Sequence, residues 1–215
     1  MDFLFKIFLA IHILGGSIGL LSGTLVMILP KGNLLHRKIG KIFFVGMFIA
    51  GLVSLVLAIL HPSRFLFLIG VFTLYMVIAG KQYLSFQNPN YLAKWFNWLL
   101  TTIMLCFGAT LIFLGIRILP NDSFAGVYLS FGFISLNFVR MDYYNFKKLN
   151  TKPNFALTGH LQRMCGAYIA SLTAFLVVNV KFIPSLVVWL LPTMVITPLI
   201  FLWSKKLVTQ KNNQG

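Results

Sequence analysis

The sequence predicts an all-α fold: a polytopic transmembrane bundle of seven helices, with the N-terminus outside and the C-terminus in the cytoplasm. Three observations lead there. Of 215 residues, 59% are hydrophobic and only 10% are charged, whereas a soluble domain carries about a quarter charged residues. Seven continuous apolar stretches reach the length of about 20 residues that a bilayer crossing needs. The 18 Lys and Arg face only three acids, Asp2, Asp122 and Asp142, and the cations are shared unevenly between the two ends of these stretches. So few carboxylates exclude a paired-acid glycosidase, an EF-hand and a carboxylate-bridged di-metal site. The runs do not alternate apolar with polar residues, which excludes β-barrel spans.

The first span, 3–29, is too long for a cleaved signal peptide, has one Lys and lacks an A-x-A exit, so it is expected to stay as an anchor. Gly15, Gly19 and Gly23 recur every fourth residue along it, with Gly16, Ser17 and Ser22 beside them. Such a row lets two helix backbones approach closely. The string Gly15-Gly16-Ser17-Ile18-Gly19 also fits G-x-S-x-G, but a nucleophile elbow needs a strand-to-helix turn and this string lies inside a helix. The second, third and fourth spans are 37–60, 64–83 and 96–118. The fifth, 123–140, is short and holds Ser130, Ser135 and Asn137, which suits little tilt or burial among the other helices. The sixth, 160–181, repeats the small-residue device with Gly166, Ala170 and Ala174, and with Ala167 and Ser171 on the adjoining row. The seventh, 184–204, contains Pro192 and Pro198, each of which removes a helix hydrogen bond and predicts a kink. No Lys falls between 184 and 204, so a retinal Schiff base has no attachment point there. The spans leave no room for a separate soluble domain, and the chain reads as one transmembrane domain, 1–215. Cys106 and Cys165 both fall inside spans, where thiols act as small apolar groups rather than disulfide partners.

Charge sets the expected orientation. Lys31, Arg37, Lys38, Lys41, Lys81, Lys94, Arg140, Lys147, Lys148, Lys152, Arg163, Lys205, Lys206 and Lys211 put 14 cations on one side. Lys6, Arg64, Arg117 and Lys181 put four on the other. By the positive-inside rule the richer side is cytoplasmic. The predicted location is the bacterial cytoplasmic membrane. The cations are spread over short loops and span ends, which suits anionic lipid headgroups and not a nucleic-acid reading surface. The longest loop, 141–159, offers Tyr143, Tyr144 and Phe146 to the interface.

Four histidines are the side chains that titrate near neutral pH and bind metals well. His36 and His160 are expected to open the second and sixth helices from the cytoplasmic side, at similar depth. Each is followed by an arginine, Arg37 and Arg163, and then by a glycine, Gly40 and Gly166. Two such imidazoles can hold a haem iron, the arginines pairing with propionates and the glycines leaving room for the ring. Polar residues also belong at helix starts, and that reading needs no ligand. His12 lies about 12 Å below the outer surface, where Asn137 or Ser135 would serve as a hydrogen-bond partner. His61, before Pro62, is about 12 Å away from it in depth, a poor second haem pair. Asp142 is the lone acid at the cytoplasmic ends, and an ion pair with Arg163 or Arg37 would tie the fifth helix to the histidine-bearing ones.

From His12 through the glycines to Lys31-Gly32 and His36-Arg37-Lys38-Ile39-Gly40-Lys41, and again at His160-Leu161-Gln162-Arg163-Met164, the chain resembles a family of bacterial multi-pass membrane proteins of unknown function. In that family an H-R-x-x-G motif follows the first helix and a late helix opens with histidine. The resemblance covers about residues 8–180. It implies the same topology and the same residues of interest, and no reaction.

The residues leave three functions open. One is a histidine-centred haem b or electron-transfer protein using His36 and His160. Another is a carrier or binding protein for a small molecule or lipid, with His12 as a proton relay. The third is a structural subunit that meets a membrane-protein partner through its glycine rows. No catalytic set is predicted.

Overall fold

In the computed structural model, residues 2–88, 90–119, 121–122, 124–147 and 154–212 are described, with the backbone alone for residues 2, 65 and 210–212. Among them there are seven long helices and no strand: α1 (Asp2–Ile28), α2 (Leu34–Leu60), α3 (Arg64–Tyr83), α4 (Trp95–Ile118), α5 (Phe124–Phe146), α6 (Phe155–Asn179) and α7 (Ser185–Asn212). A 3₁₀ turn, Leu84–Gln87, continues α3. All seven helices are long and apolar enough to cross a membrane.

Several boundaries differ from those expected, each for a local reason. α2 starts at Leu34 rather than 37, because Gly32 turns the chain at φ +85° and the Asn33 side chain accepts a hydrogen bond from His36 N at 2.7 Å. α5 runs to Phe146, six residues past the expected 140, because Asp142 and Asn145 are buried along its inner face and prolong it. α6 starts at Phe155, so His160 is its sixth residue and does not open it. Counted from the observed starts, His36 is third in α2, and His160 lies about 4.5 Å further along its own helix. α7 runs to Asn212 with Pro192 and Pro198 inside it. The helix therefore does carry lysines: Lys205 and Lys206 sit on its last turns and are exposed, away from its apolar middle. Lys148 and Lys152 lie outside the described residues, as does most of the 147–154 connection.

Contacts divide the chain into two compact units, Met1–Ile78 with Arg163–Phe175, and Ala79–Gln162 with Leu176–Gly215. In the first, α1 crosses α2 where Gly15 and Gly19 face Gly46. A Cβ built on Gly46 would stand 2.9 Å from the Gly15 carbonyl oxygen and 3.0 Å from Gly19 N. The glycines thus allow backbone to meet backbone, the expected use of the row. Further along, Gly23 packs against the rings of Phe43 and Tyr168, and the Tyr168 hydroxyl hydrogen-bonds Thr24 Oγ1 at 2.9 Å. Gly166 of α6 lies against Met76, with its built Cβ 3.0 Å from the sulfur. Ala167 and Ala170 are buried on the same helix.

The second unit repeats the device with glycines that the sequence reading did not single out. Gly108 of α4 and Gly132 of α5 face each other, each built Cβ within 3.3 Å of the other's carbonyl oxygen. Trp189 of α7 is buried edge-on between Phe124 and Phe131 of α5. Elsewhere the helices expose large apolar side chains, such as Leu14, Ile59, Phe113, Phe133 and Phe201. That surface suits lipid and not water.

Candidate functional site: a buried polar node where four helices end

Helices alternate in direction through a bundle, so α3 and α5 finish at the end where α4 and α6 begin. In the second unit this end holds a connected set of polar side chains. Tyr83, the last residue of α3, donates from its hydroxyl to Asp142 Oδ1 of α5 at 2.8 Å. Thr101 of α4 donates to Asp142 Oδ2, also at 2.8 Å. Asn145 lies one turn beyond Asp142 and donates from Nδ2 to the Tyr83 hydroxyl at 2.7 Å. The phenol therefore both accepts and donates, and each carboxylate oxygen is engaged. Asp142 is 1% exposed, and Tyr83, Thr101 and Asn145 are buried too. A buried carboxylate is tolerable only with such donors around it.

Asn97 of α4 extends the node. Its Oδ1 accepts from Lys94 N at 2.9 Å, which starts the helix, and from the Tyr91 hydroxyl at 3.3 Å. A cavity of about 10 Å³ lies among Gln82, Tyr83, Asn97, Thr101 and Asp142, room for about one water molecule. An aromatic wall closes the outer side, with Phe86 stacked on Phe146 at 5.5 Å and Trp98 edge-on to Phe146 at 5.2 Å.

His160 joins from α6. Its Nδ1 is 2.8 Å from the Gly80 carbonyl oxygen. A carbonyl only accepts, so Nδ1 carries a proton, and in the neutral imidazole Nε2 would then hold the lone pair. Gly80 lies in the last turn of α3, just before the 3₁₀ turn Leu84–Gln87. His160 thus ties α6 to the last turn of α3. Gly159, just before it, lies so close to the Tyr83 ring that any Cβ there would overlap ring carbons.

In the first unit His36 is half-buried, and its backbone N is held by Asn33. Arg37 is exposed and donates from Nε to the Gly32 carbonyl at 2.9 Å. An open hollow of about 580 Å³ is lined by Gly32, Asn33, Leu34, Leu35 and Arg37. Gly40 has open space beside it, since a built Cβ meets nothing within 4 Å, whereas Gly166 has none to spare. Arg163 is fully buried. His12 is half-buried, with Nδ1 3.0 Å from the Ala50 carbonyl oxygen of α2, so it too is an Nδ1–H tautomer. Of the partners the sequence suggested for it, Ser135 donates to the Phe131 carbonyl one turn back on α5, and Asn137 is exposed near Met141. His61 is exposed, with its ring against Phe5 at 4.2 Å. Both cysteines are free thiols, Cys106 exposed and Cys165 buried. Among the described residues no three His, Cys, Asp or Glu side chains converge as a metal site.

The sequence singled out Asp142 and His160 but not Tyr83, Thr101, Asn145 or Asn97. A signal was available: Asp142 and Asn145 are three apart and share a helix face. Comparison with family models, with curated proteins and with solved structures gives no match. The class therefore rests on the chain itself, and seven apolar helices of this length are compatible with a multi-pass membrane protein.

Proposed function

We propose that the chain is a multi-pass protein of the bacterial cytoplasmic membrane, N-terminus outside, in which His160 would hold a haem b able to supply electron transfer. The observation behind this reading is the 2.8 Å bond from His160 Nδ1 to the Gly80 carbonyl. Ligating imidazoles characteristically donate their second nitrogen to a carbonyl, which fixes the tautomer and leaves Nε2 to the metal. When bound, the haem would supply one-electron chemistry, while the chain supplies the oriented imidazole and the surrounding apolar packing. The sequence also nominates His36, with Arg37, Arg163 and Gly40, as residues for a haem, and these four belong to the first unit. The node's own cavity holds about one water, so a macrocycle needs the packing around His160 to open. The orientation rests on the 14 cations against four. The test is an absorption spectrum of protein purified from haem-replete cells. A Soret band is expected, lost in His160→Ala and in His36→Ala. A colourless protein refutes the reading.

A second reading is favoured by the Asp142 node itself. Intramembrane ionisable residues mark functional sites by default, and a lone carboxylate with oriented hydroxyls beside a water-sized cavity suits a carrier or binding protein. Uptake or binding in vesicles that is abolished by Asp142→Asn and unaffected by His36→Ala would select it over the haem.

A further inference from the structure

We propose that Tyr83, anchored by Asp142 and Asn145, is the positioning residue for His160. This rests on reading His160 as the working imidazole. The chain of contacts is short and runs through buried groups. α3 passes into the 3₁₀ turn after Tyr83, and at that junction the Tyr83 hydroxyl donates to Asp142 at 2.8 Å and accepts from Asn145 at 2.7 Å. The carbonyl that receives the His160 proton belongs to Gly80, three residues earlier in that same last turn. The Tyr83 ring also fills the space left by Gly159, the residue immediately before His160. One phenol therefore sets both the acceptor for the imidazole and the approach of the backbone that carries it.

Two features make this more than packing. The carboxylate takes hydroxyl donors from α3 and α4 and stands on α5, so three helices share one anchor. The acceptor itself is a carbonyl of the last α-helical turn, at the junction with the 3₁₀ turn Leu84–Gln87, where the hydrogen-bonding pattern changes. Without the anchor, the junction between α3 and the 3₁₀ turn shifts, the Gly80 carbonyl turns from the imidazole, and His160 keeps less preference for the proton on Nδ1.

The experiment reads the tautomer directly. The full chain is produced haem-free, so that Nε2 of His160 is unligated, and labelled with ¹⁵N-histidine in detergent micelles, and two-bond nitrogen–proton correlations are recorded for wild type, Tyr83→Phe, Asp142→Asn and Asn145→Ala. His160→Gln assigns the resonance. Wild-type His160 is expected to be the Nδ1–H form. Tyr83→Phe keeps the ring against Gly159 but removes the hydroxyl, and should raise the minor Nε2–H form by about fivefold, the effect of losing one hydrogen bond's net preference. Asp142→Asn and Asn145→Ala should act in the same direction. His12, held by Ala50 in the other unit, should keep its pattern in all three variants, which a general loosening of the fold would not allow. If Asp142→Asn fails to fold, Tyr83→Phe and Asn145→Ala still decide the matter. An unchanged His160 signature in folded Tyr83→Phe and Asn145→Ala overturns the proposal, as does an Nε2–H form in the wild type. A colourless protein whose His160 responds as described keeps the positioning role and removes the haem.

Discussion

Gly46→Ala should separate α1 from α2. The built Cβ at Gly46 meets only backbone: Gly15 O at 2.9 Å, Gly19 N at 3.0 Å and Gly19 Cα at 3.3 Å. Ordinary contact for such a carbon begins at 3.4 Å, so the two helices must part by about half an ångström along a crossing with no flexible side chain to yield. Overpacking of this kind costs about 1–3 kcal/mol. Replacing Gly by Ala also adds helix propensity, about 1 kcal/mol in water, which would mask part of the loss. Gly40→Ala supplies the correction. It lies on the same helix, gains the same propensity, and places its Cβ in open space. The difference between the two variants isolates the steric cost, expected as about a 5- to 150-fold ratio of unfolding constants. The assay is reversible unfolding in mixed micelles, titrated with SDS and followed by helical circular dichroism. The His12–Ala50 bond lies one turn from the clash, so the ¹⁵N pattern of His12 should change in Gly46→Ala and not in Gly40→Ala. Unfolding constants within about threefold of each other would refute the close-crossing argument.

Thr101→Val removes one donor from the Asp142 carboxylate while keeping the side chain's shape. It should cost about 1–3 kcal/mol in the same titration, the penalty for leaving a buried acceptor short of a partner, and Thr101→Ser should recover most of it. Asn33→Ala deletes the cap that accepts His36 N, with an expected loss of about 1 kcal/mol, and Asn33→Asp should restore it. Gly159→Ala drives a methyl into the Tyr83 ring. It should destabilise the chain more than Gly166→Ala, whose neighbour is the flexible Met76 thioether. For orientation, a fluorescent reporter fused after residue 215 should fluoresce and a phosphatase that needs export should stay inactive. The reverse pattern refutes the N-terminus-outside topology.

Seven spans were legible because continuous apolar runs need no partner to be recognised, and all seven lie where the sequence put them. The errors fell at the ends. The sequence places the end of α5 at 140, since 141–159 is polar and basic, yet Asp142 and Asn145 face inward and are satisfied by Tyr83 and Thr101. The same polar, basic stretch puts the expected start of α6 at His160, whereas the helix begins at Phe155. Asp142 and Asn145, which the sequence reads as loop, belong to the node, while Tyr83, Asn97 and Thr101 lie within expected spans. A site of this kind is hard to see in a sequence, because Tyr83, Thr101 and Asn145 are ordinary interface residues one at a time and become a carboxylate's shell only when four helix ends meet. The same reasoning explains the glycines. Gly15, Gly19 and Gly23 announced themselves by spacing, whereas Gly46, Gly108 and Gly132 are single members of a crossing whose other half lies on another helix. In a chain with three acids, the one buried in a span is the one the fold surrounds with donors. The scarcity that excluded most carboxylate chemistry also marks Asp142 as the residue around which α3, α4 and α5 are arranged.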